Sequence, residues 1–370
     1  MELATIPTID SDTLRDWLET GRPVNILDVR PLQERSEWFI PGSIHIDAYN
    51  KLKANDSTAL DGILLDKEIP VITVCAGGKM SRVAAGILQK EGYNAYSLES
   101  GMKSWTLAWN TATLNFQGFQ IVQIRRTGKG CLSYIIVADN EAIIIDASLP
   151  TEVYKNIVKQ NNWQVKAVME THIHADHLSR SKQLADQLEV SLLLPIPNKV
   201  SFSYEKLEDG QTIKLGRIVL KVMSTPGHTL ESVCFLINDE ILLSGDTLFT
   251  NAVGRPDLKA NEEEAKKRAG LLYDSLQELM KLDDRCIVLP THTSSPVNFD
   301  SIPIKANLSE IKKNVPALQL SKIGFVKTIL DKLPPTPPNH LAIVERNLSG
   351  NISDVNQMDL EAGANRCAIS

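Results

Sequence analysis

Short apolar runs, many of them β-branched, punctuate this chain and end on polar or charged residues, with helical periodicities between them. Val24 to Val29 is one such run, closing on Asp28 and Arg30 as a buried parallel strand does. Pro41-Gly42 marks a turn into a short strand at Ile44–Ile46, and Pro70–Val74 is a second β-branched strand. A helical pattern runs from Arg82 to Glu91 and stops at Gly92. From Trp109 to Gln117 the periodicity fades, which predicts a connection. The chain divides accordingly into a domain over 1–110, a linker over 111–118 and a larger domain over 119–345.

In the larger domain Phe119–Ile124 alternates as a half-exposed strand. Ser133–Ala138 and Ala142–Asp146 flank the turn residues Asp139 and Asn140, a hairpin signature. A helix is expected over Glu152–Asn161, then a strand over Val165–Glu170. Further strands are expected at Val190–Leu194, Thr212–Lys214, Ile218–Met223, Ser232–Asn238 and Glu240–Ser244. A long helix over Glu262–Lys281 precedes a strand at Cys286–Leu289. Two runs of strands interleaved with helices predict a four-layer αββα sandwich following a small parallel-sheet domain, so the fold class is α/β. Phe325–Leu333 reads as an amphipathic helix that the prolines from Pro334 terminate. Residues 346–370 turn polar and read as a C-terminal extension that frays; Cys367 within it is a thiol that a relay between two sites would use.

Composition narrows the function classes. With 43% hydrophobic and 23% charged residues, the 370-residue chain has the material for full globular cores. A net charge of −6 offers no basic footprint for nucleic acid or an anionic membrane. No apolar run approaches the ~18 residues of a membrane helix, and the N-terminus lacks the basic and apolar stretches of a secretion signal. Five scattered cysteines do not form a disulfide framework. These features lead to the expectation of a reduced, cytoplasmic location.

Two constellations carry chemistry. Pro70–Val74 delivers Cys75 at its end, followed by Ala76, Gly77, Gly78 and Lys79 and then a helix. Strand, small-residue loop and helix set the sulfur in a cradle of backbone N–H groups at a helix N-terminus, with Gly77, Gly78 and Lys79 around a bound anion. That setting lowers a thiol's pKa and makes Cys75 a nucleophile near neutrality. The second constellation is Thr171-His172-Ile173-His174-Ala175-Asp176-His177, followed by His228, Asp246 and His292, each just after an expected strand. Imidazole and carboxylate at this density suit zinc or iron.

The N-terminal segment resembles a rhodanese domain through Leu27–Arg30, Ile40–Ile44, the Cys75 loop and Leu98–Met102. The resemblance implies that Cys75 carries sulfane sulfur as a persulfide. Met80 stands where many members carry Arg, which removes one guanidinium from an anionic donor. Roughly residues 118–300 resemble the metallo-β-lactamase superfamily. Its two-metal arrangement implies that His172, His174 and His228 hold one zinc and Asp176, His177 and His292 a second, with Asp246 between them, for hydrolysis of thioesters.

Gly130–Tyr134, Asn251–Leu258 and Pro337–His340 are similar to the persulfide dioxygenase branch. That branch implies one Fe(II) per chain held by His172, His228 and Asp246, with open positions for O2 and substrate. His174, Asp176, His177 and His292 then orient ligands or handle protons. The substrate implied is a small thiol persulfide such as glutathione persulfide, oxidised to sulfite. Arg255 is expected either to clamp its carboxylate or to form a structural salt bridge, and a homodimer is implied by resemblance alone. A non-catalytic persulfide carrier or sensor is the remaining alternative.

Overall fold

The structure is a computed structural model that describes residues 6–196, 200–363 and 365–369. Strands β1 (Thr8–Ile9), β2 (Asn25–Asp28), β3 (Ile44–His45), β4 (Val71–Val74) and β5 (Ala95–Leu98) form a sheet ordered β1-β5-β4-β2-β3. Every pairing in it is parallel. Five helices accompany it: α1 (Ser11–Glu19), α2 (Leu32–Glu37), α3 (Tyr49–Lys53), α4 (Lys79–Lys90) and α5 (Gly101–Trp105). Leu14 of α1 and Trp105 of α5 pack with Ile26, Ile72 and Val74 on one side. Leu52, Ala84 and Leu88 of α3 and α4 pack with Leu27 and Val71 on the other. Burial on both faces leaves β4 no exposed position, and its one polar residue, Thr73, donates to the Ser81 carbonyl (2.7 Å). Asp28, where β2 ends, is gripped by Arg30 Nε and Nη2 (3.0 and 2.7 Å) and Arg35 Nη1 (3.0 Å).

The larger unit is a four-layer sandwich. One sheet runs in chain order through β6 (Asn110–Phe116), β7 (Phe119–Arg125), β8 (Leu132–Ala138), β9 (Glu141–Ile145), β10 (Gln164–Met169), β11 (Ser191–Leu194) and β12 (Glu205–Lys206). The second contains β13 (Thr212–Leu215), β14 (Ile218–Ser224), β15 (Val233–Ile237) and β16 (Ile241–Gly245). After the short β17 (Val253–Gly254), which lies outside it, this sheet continues with β18 (Ile287–Pro290) and β19 (Ala306–Asn307). Ile121, Ile136 and Ile145 of the first sheet meet Leu220, Phe235 and Leu243 of the second in the central core. Helices α6 (Thr151–Gln160) and α7 (Ser181–Leu188) cover the first sheet through Tyr154, Val158 and Leu184. Helices α8 (Glu262–Leu279), α9 (Leu308–Asn314) and α10 (Lys322–Asp331) cover the second through Leu272, Ile311 and Phe325.

Two expectations are corrected. Residues 111–118 are not a linker: β6 pairs with β7 from Asn110↔Arg125 to Phe116↔Phe119. Ala112 and Leu114 point inward between exposed Thr113 and Asn115, but a third inward position is the polar Asn110, which hides the alternation. Its side chain is satisfied by Arg125 Nε (2.8 Å) and the Asn298 carbonyl (2.9 Å). The C-terminal extension is likewise not frayed. Beyond α11 (His340–Ser349) and α12 (Gln357–Leu360), strand β20 (Ala368–Ile369) pairs antiparallel with β17. The anchor between them is ionic: Glu361, fully buried, accepts from Arg126 Nη2 and Arg180 Nη2 (3.0 Å each) and from Leu178 N (2.6 Å).

The two domains meet over residues 126–130. A Cβ on Gly128 would fall 1.8 Å from the Trp105 carbonyl oxygen, so only glycine permits this approach. Trp38 Nε1 donates to the Thr127 carbonyl (2.9 Å), and Arg126 Nε donates to that of Thr106 (2.7 Å). Among the described residues no helix is long and apolar enough to cross a membrane.

Candidate metal centre

Strand ends deliver the donors to one edge of the sandwich. β10 runs into the turn that carries His172 to His177, and Asp146, at the end of β9, fixes that turn. Asp146 accepts from Thr171 N (2.8 Å) and Thr171 Oγ1 (3.0 Å) and lies 3.1 Å from His174 Nε2. His228 follows β14, where a Cβ on Gly227 would sit 2.4 Å from the Leu272 Cα. Asp246 directly follows β16, and a Cβ on Gly254 would lie 1.9 Å from its carbonyl oxygen. His292 follows β18.

The imidazoles are oriented by a common device. Nδ1 of His172 meets Thr171 Oγ1 (2.9 Å), that of His228 the Arg255 carbonyl (2.7 Å), and that of His292 Asp246 Oδ1 (2.5 Å). His177 Nδ1 sits 3.2 Å from Asp176. Anchoring one ring nitrogen fixes the direction of the other, as around metal-ligating histidines. His174 is reversed: its Nε2 is the atom held by Asp146. Among the described residues three groups of donor atoms result, each with its atoms within 4.8 Å of one another: His172, His228 and Asp246; Cys131, Asp176, His177 and His292; and Asp246, His292 and Cys367, which takes one member from each of the others. His174 belongs to none of them.

In the first group Asp246 Oδ2 is 3.7 Å from His172 Nε2 and 3.5 Å from His228 Nε2. Both Asp246 Oδ2 and His172 Nε2 are buried without a hydrogen-bond partner. Leaving such atoms unsatisfied costs about 1–3 kcal/mol each, which a shared cation would offset. Burial, together with the neighbouring His174, holds His172 well below the usual imidazole range. Burial also lowers His228, in spite of Asp246, and in both the shift favours the neutral imidazole that ligates a metal. Burial would raise the Asp246 carboxyl, but His292, by its charge and its hydrogen bond, outweighs it and holds it well below the carboxylate range. The residues present therefore fit a divalent metal. A cavity of about 680 Å³ opens beside this group, lined by His228, Ile173, Leu258, Arg268 and His340 among others.

Arg255 does not face that cavity. It is fully buried, and its guanidinium is spent on Asp257 (2.8 Å from both Nε and Nη2) and on the carbonyls of Pro334, Pro335 and Arg366. The structural salt bridge is correct and the substrate clamp is not, because no N–H is left to donate. Arg255→Lys, which keeps the charge but loses the fork, is expected to destabilise by about 1.5–3 kcal/mol. Thermal denaturation beside a KM measurement checks this: a lowered Tm with KM unmoved is the expected pair.

The Cys75 loop lies in the smaller domain. Cys75 follows β4, Gly77 and Lys79 are exposed, and Gly78 begins α4 with φ +85°. The loop is braced from behind, since Met102 N donates to the Cys75 carbonyl (2.9 Å) and Lys103 N to that of Ala76 (3.1 Å). Ser97 Oγ donates to Ser81 Oγ (2.8 Å), which frees the Ser81 proton for Cys75 Sγ at 3.3 Å. Met80 turns inward onto Leu27, Leu52 and Leu88, and so gives the loop no polar group. Ala76 and Gly77 open onto a cleft of about 540 Å³ whose far wall is Gly128, Asp359 and Gly363 of the larger domain.

Four residues with site contacts were not singled out in the sequence: Asp146, Cys131, Thr291 and Asn365. Asp146 carried a signal, since it ends an isoleucine run just as Asp28 ends an apolar strand. Asn365, whose Nδ2 donates to Asp176 Oδ2 (2.8 Å), carried none.

Residues 126–292 match the family model described as the metallo-beta-lactamase superfamily, and residues 10–108 match the rhodanese-like domain. The chain therefore joins a rhodanese-like domain to a metallo-β-lactamase domain. A hydroxyacylglutathione hydrolase of Francisella philomiragia is 32% identical over 169 residues, which cover 45% of this chain and 64% of that protein. The chain thus spans less than two thirds of that relative's length. A metallo-beta-lactamase from Staphylococcus aureus shares the fold at TM-score 0.56 and 24% identity, over 65% of this chain and 74% of that one. So does ETHE1 from Myxococcus xanthus, at TM-score 0.52 and 24% identity, over 65% of this chain and 99% of that one.

Proposed function

We propose that the larger domain oxidises a low-molecular-weight thiol persulfide, such as glutathione persulfide, with O2, using one Fe(II) held by His172, His228 and Asp246. The smaller domain moves sulfane sulfur as a persulfide on Cys75. The observation that carries this reading is the separation of a two-His, one-carboxylate group, with two unpartnered buried donors, beside an open cavity. These three residues would hold the iron, which when bound would supply the redox chemistry that O2 and a persulfide sulfur require. The overall reaction takes RSSH, O2 and water to RSH, sulfite and protons. The S–S bond breaks, the terminal sulfur is oxidised, O2 is reduced, and the thiol leaves carrying a proton.

This chain's residues supply binding and order. Thr171 and the Arg255 carbonyl fix the two imidazoles, while Thr291 (Oγ1 to Asp246 Oδ1, 2.6 Å) and His292 fix the carboxylate. Apolar Ile173 and Leu258 line the approach, and Arg268 and His340 offer cationic or polar partners for a carboxylate-bearing thiol. In the smaller domain the Ser97–Ser81 chain holds Cys75 Sγ in place, and the loop that follows leads into the N-terminus of α4, which suits an anionic sulfur donor. The experiment is a paired one. Cys75→Ser is expected to abolish persulfide transfer to cyanide or a thiol while leaving oxygen uptake with glutathione persulfide intact. Loss of both would contradict two separate sites.

The relative named hydroxyacylglutathione hydrolase supports a second reading, a two-zinc thioesterase on the same donors. Release of thiol from a glutathione thioester by the zinc-loaded protein, with no oxygen uptake by the iron-loaded one, would favour it.

A further inference from the structure

We propose that the cleft between the Cys75 loop and residues 359–363 is a binding site for a small thiol, built jointly by the two domains. Its far wall opens the sulfur exchange of Cys75 to small molecules and denies it to thiols on folded proteins. This binding role rests on the proposed sulfur chemistry of Cys75 and adds the class of partner with which it trades. Cys75 is 2% exposed, and Ala76 and Gly77, which follow it, open onto about 540 Å³ of space. That volume lies within the range of small-molecule sites, roughly 300–1,000 Å³. A folded partner instead docks over roughly 800 Å² of surface, and the larger domain occupies the ground it would need. Met102 and Ala362 line the space beside Gln33 and Thr106, apolar and polar contacts that suit the body of a short thiol.

Buried groups anchor this wall to the larger domain. Glu361 lies between Arg126 and Arg180, and Lys129, 3% exposed, donates its Nζ to the carbonyls of Glu361 (2.8 Å) and Gly363 (3.2 Å). Two ion pairs then cross to the smaller domain. Lys103 pairs with Asp359, and Arg366 Nη2 lies 3.1 Å from Glu37 Oε2. Lys103 also braces the loop, because its backbone N–H donates to the Ala76 carbonyl (3.1 Å). One residue thus joins the nucleophile's loop to the opposite wall. Both pairs are partly exposed and therefore weak, so they align the walls, while the close approach of Gly128 to Trp105 sets the spacing of the domains. Transfer in the cleft takes Cys75–S–SH and RS⁻ to Cys75–S⁻ and RS–SH. The entering thiolate bonds to the outer sulfur, the old S–S bond breaks, and its electron pair stays on Cys75.

The test uses the full-length protein and two readouts, one of which needs no turnover. Alkylation of Cys75, followed by peptide mass spectrometry, is expected with iodoacetamide and not with a bulky polymer-linked maleimide. Protein loaded with glutathione persulfide without oxygen and then desalted should pass its sulfur to glutathione, and not to reduced thioredoxin at the same thiol concentration. Ala362→Trp, with native circular dichroism, places an indole in the cleft and should raise the KM for glutathione as acceptor. Equal modification of Cys75 by the two reagents, modification by neither, transfer to thioredoxin as fast as to glutathione, or a KM unmoved by Ala362→Trp overturns the proposal. Size-selective alkylation with no transfer to any acceptor supports the cleft as a small-molecule site and overturns instead the reading of Cys75 as a sulfur carrier.

Discussion

Asp246→Ala is expected to remove iron binding and persulfide-dependent oxygen uptake together. Asp246 is 1% exposed, and its two oxygens divide their work. Oδ2 converges with His172 and His228, while Oδ1 holds Thr291 and His292. Removing the carboxylate takes the only anion from the three-donor group and releases the partner that orients His292. Loss of an outer partner alone typically costs about 10–100-fold in metal affinity. Thr291→Val should fall in that range, and Asp246→Ala well beyond it. Iron per chain after anaerobic loading and desalting, read beside oxygen uptake, checks both. Full iron retention in Asp246→Ala would place the metal elsewhere.

The largest stability effect is expected at Glu361, whose side chain is wholly enclosed by protein. Its carboxylate is fully buried between Arg126 and Arg180, themselves 0 and 1% exposed. Glu361→Ala leaves two guanidinium groups buried without a counter-charge, a loss of about 3–5 kcal/mol. The same contact sets an acid limit. Burial would raise this carboxyl, but Arg126 and then Arg180 hold it far below the ordinary 4.5 of glutamate. Its stabilisation is thus complete above the unfolded value near 4.5 and is lost as pH falls below it toward the depressed folded value. Urea denaturation between pH 7 and pH 3 should show wild type losing stability over that window. Glu361→Gln should start lower and fall less steeply.

Glu361 also illustrates what the sequence does not reveal. An Asp or Glu in a polar stretch reads as solvated unless its partners are known, and Arg126 and Arg180 lie more than 180 residues earlier in the chain. The elements that were legible were those whose burial is one-sided or complete, such as β4, β8 and α4, where periodicity records the environment directly. β6 was missed because one of its inward positions is the polar Asn110, satisfied from the distant Asn298. In the site, residue types and strand-end positions brought His172, His228, Asp246, Asp176, His177 and His292 to notice. How these donors group depends on which ring nitrogen each neighbour holds, and only the assembled fold reveals that. Arg255 points the same way: an arginine in a Gly-Arg-Pro-Asp segment suggests substrate, yet Asp257 two residues on takes its fork.

The central claim is that the His172, His228 and Asp246 group supports iron-dependent oxidation of a thiol persulfide. Oxygen uptake and sulfite release by anaerobically iron-loaded protein given glutathione persulfide test it most directly. The account predicts oxygen consumed and sulfite formed in equal amounts, with His228→Ala at the level of the protein-free control. Oxygen uptake by the wild type no greater than that of His228→Ala would contradict it.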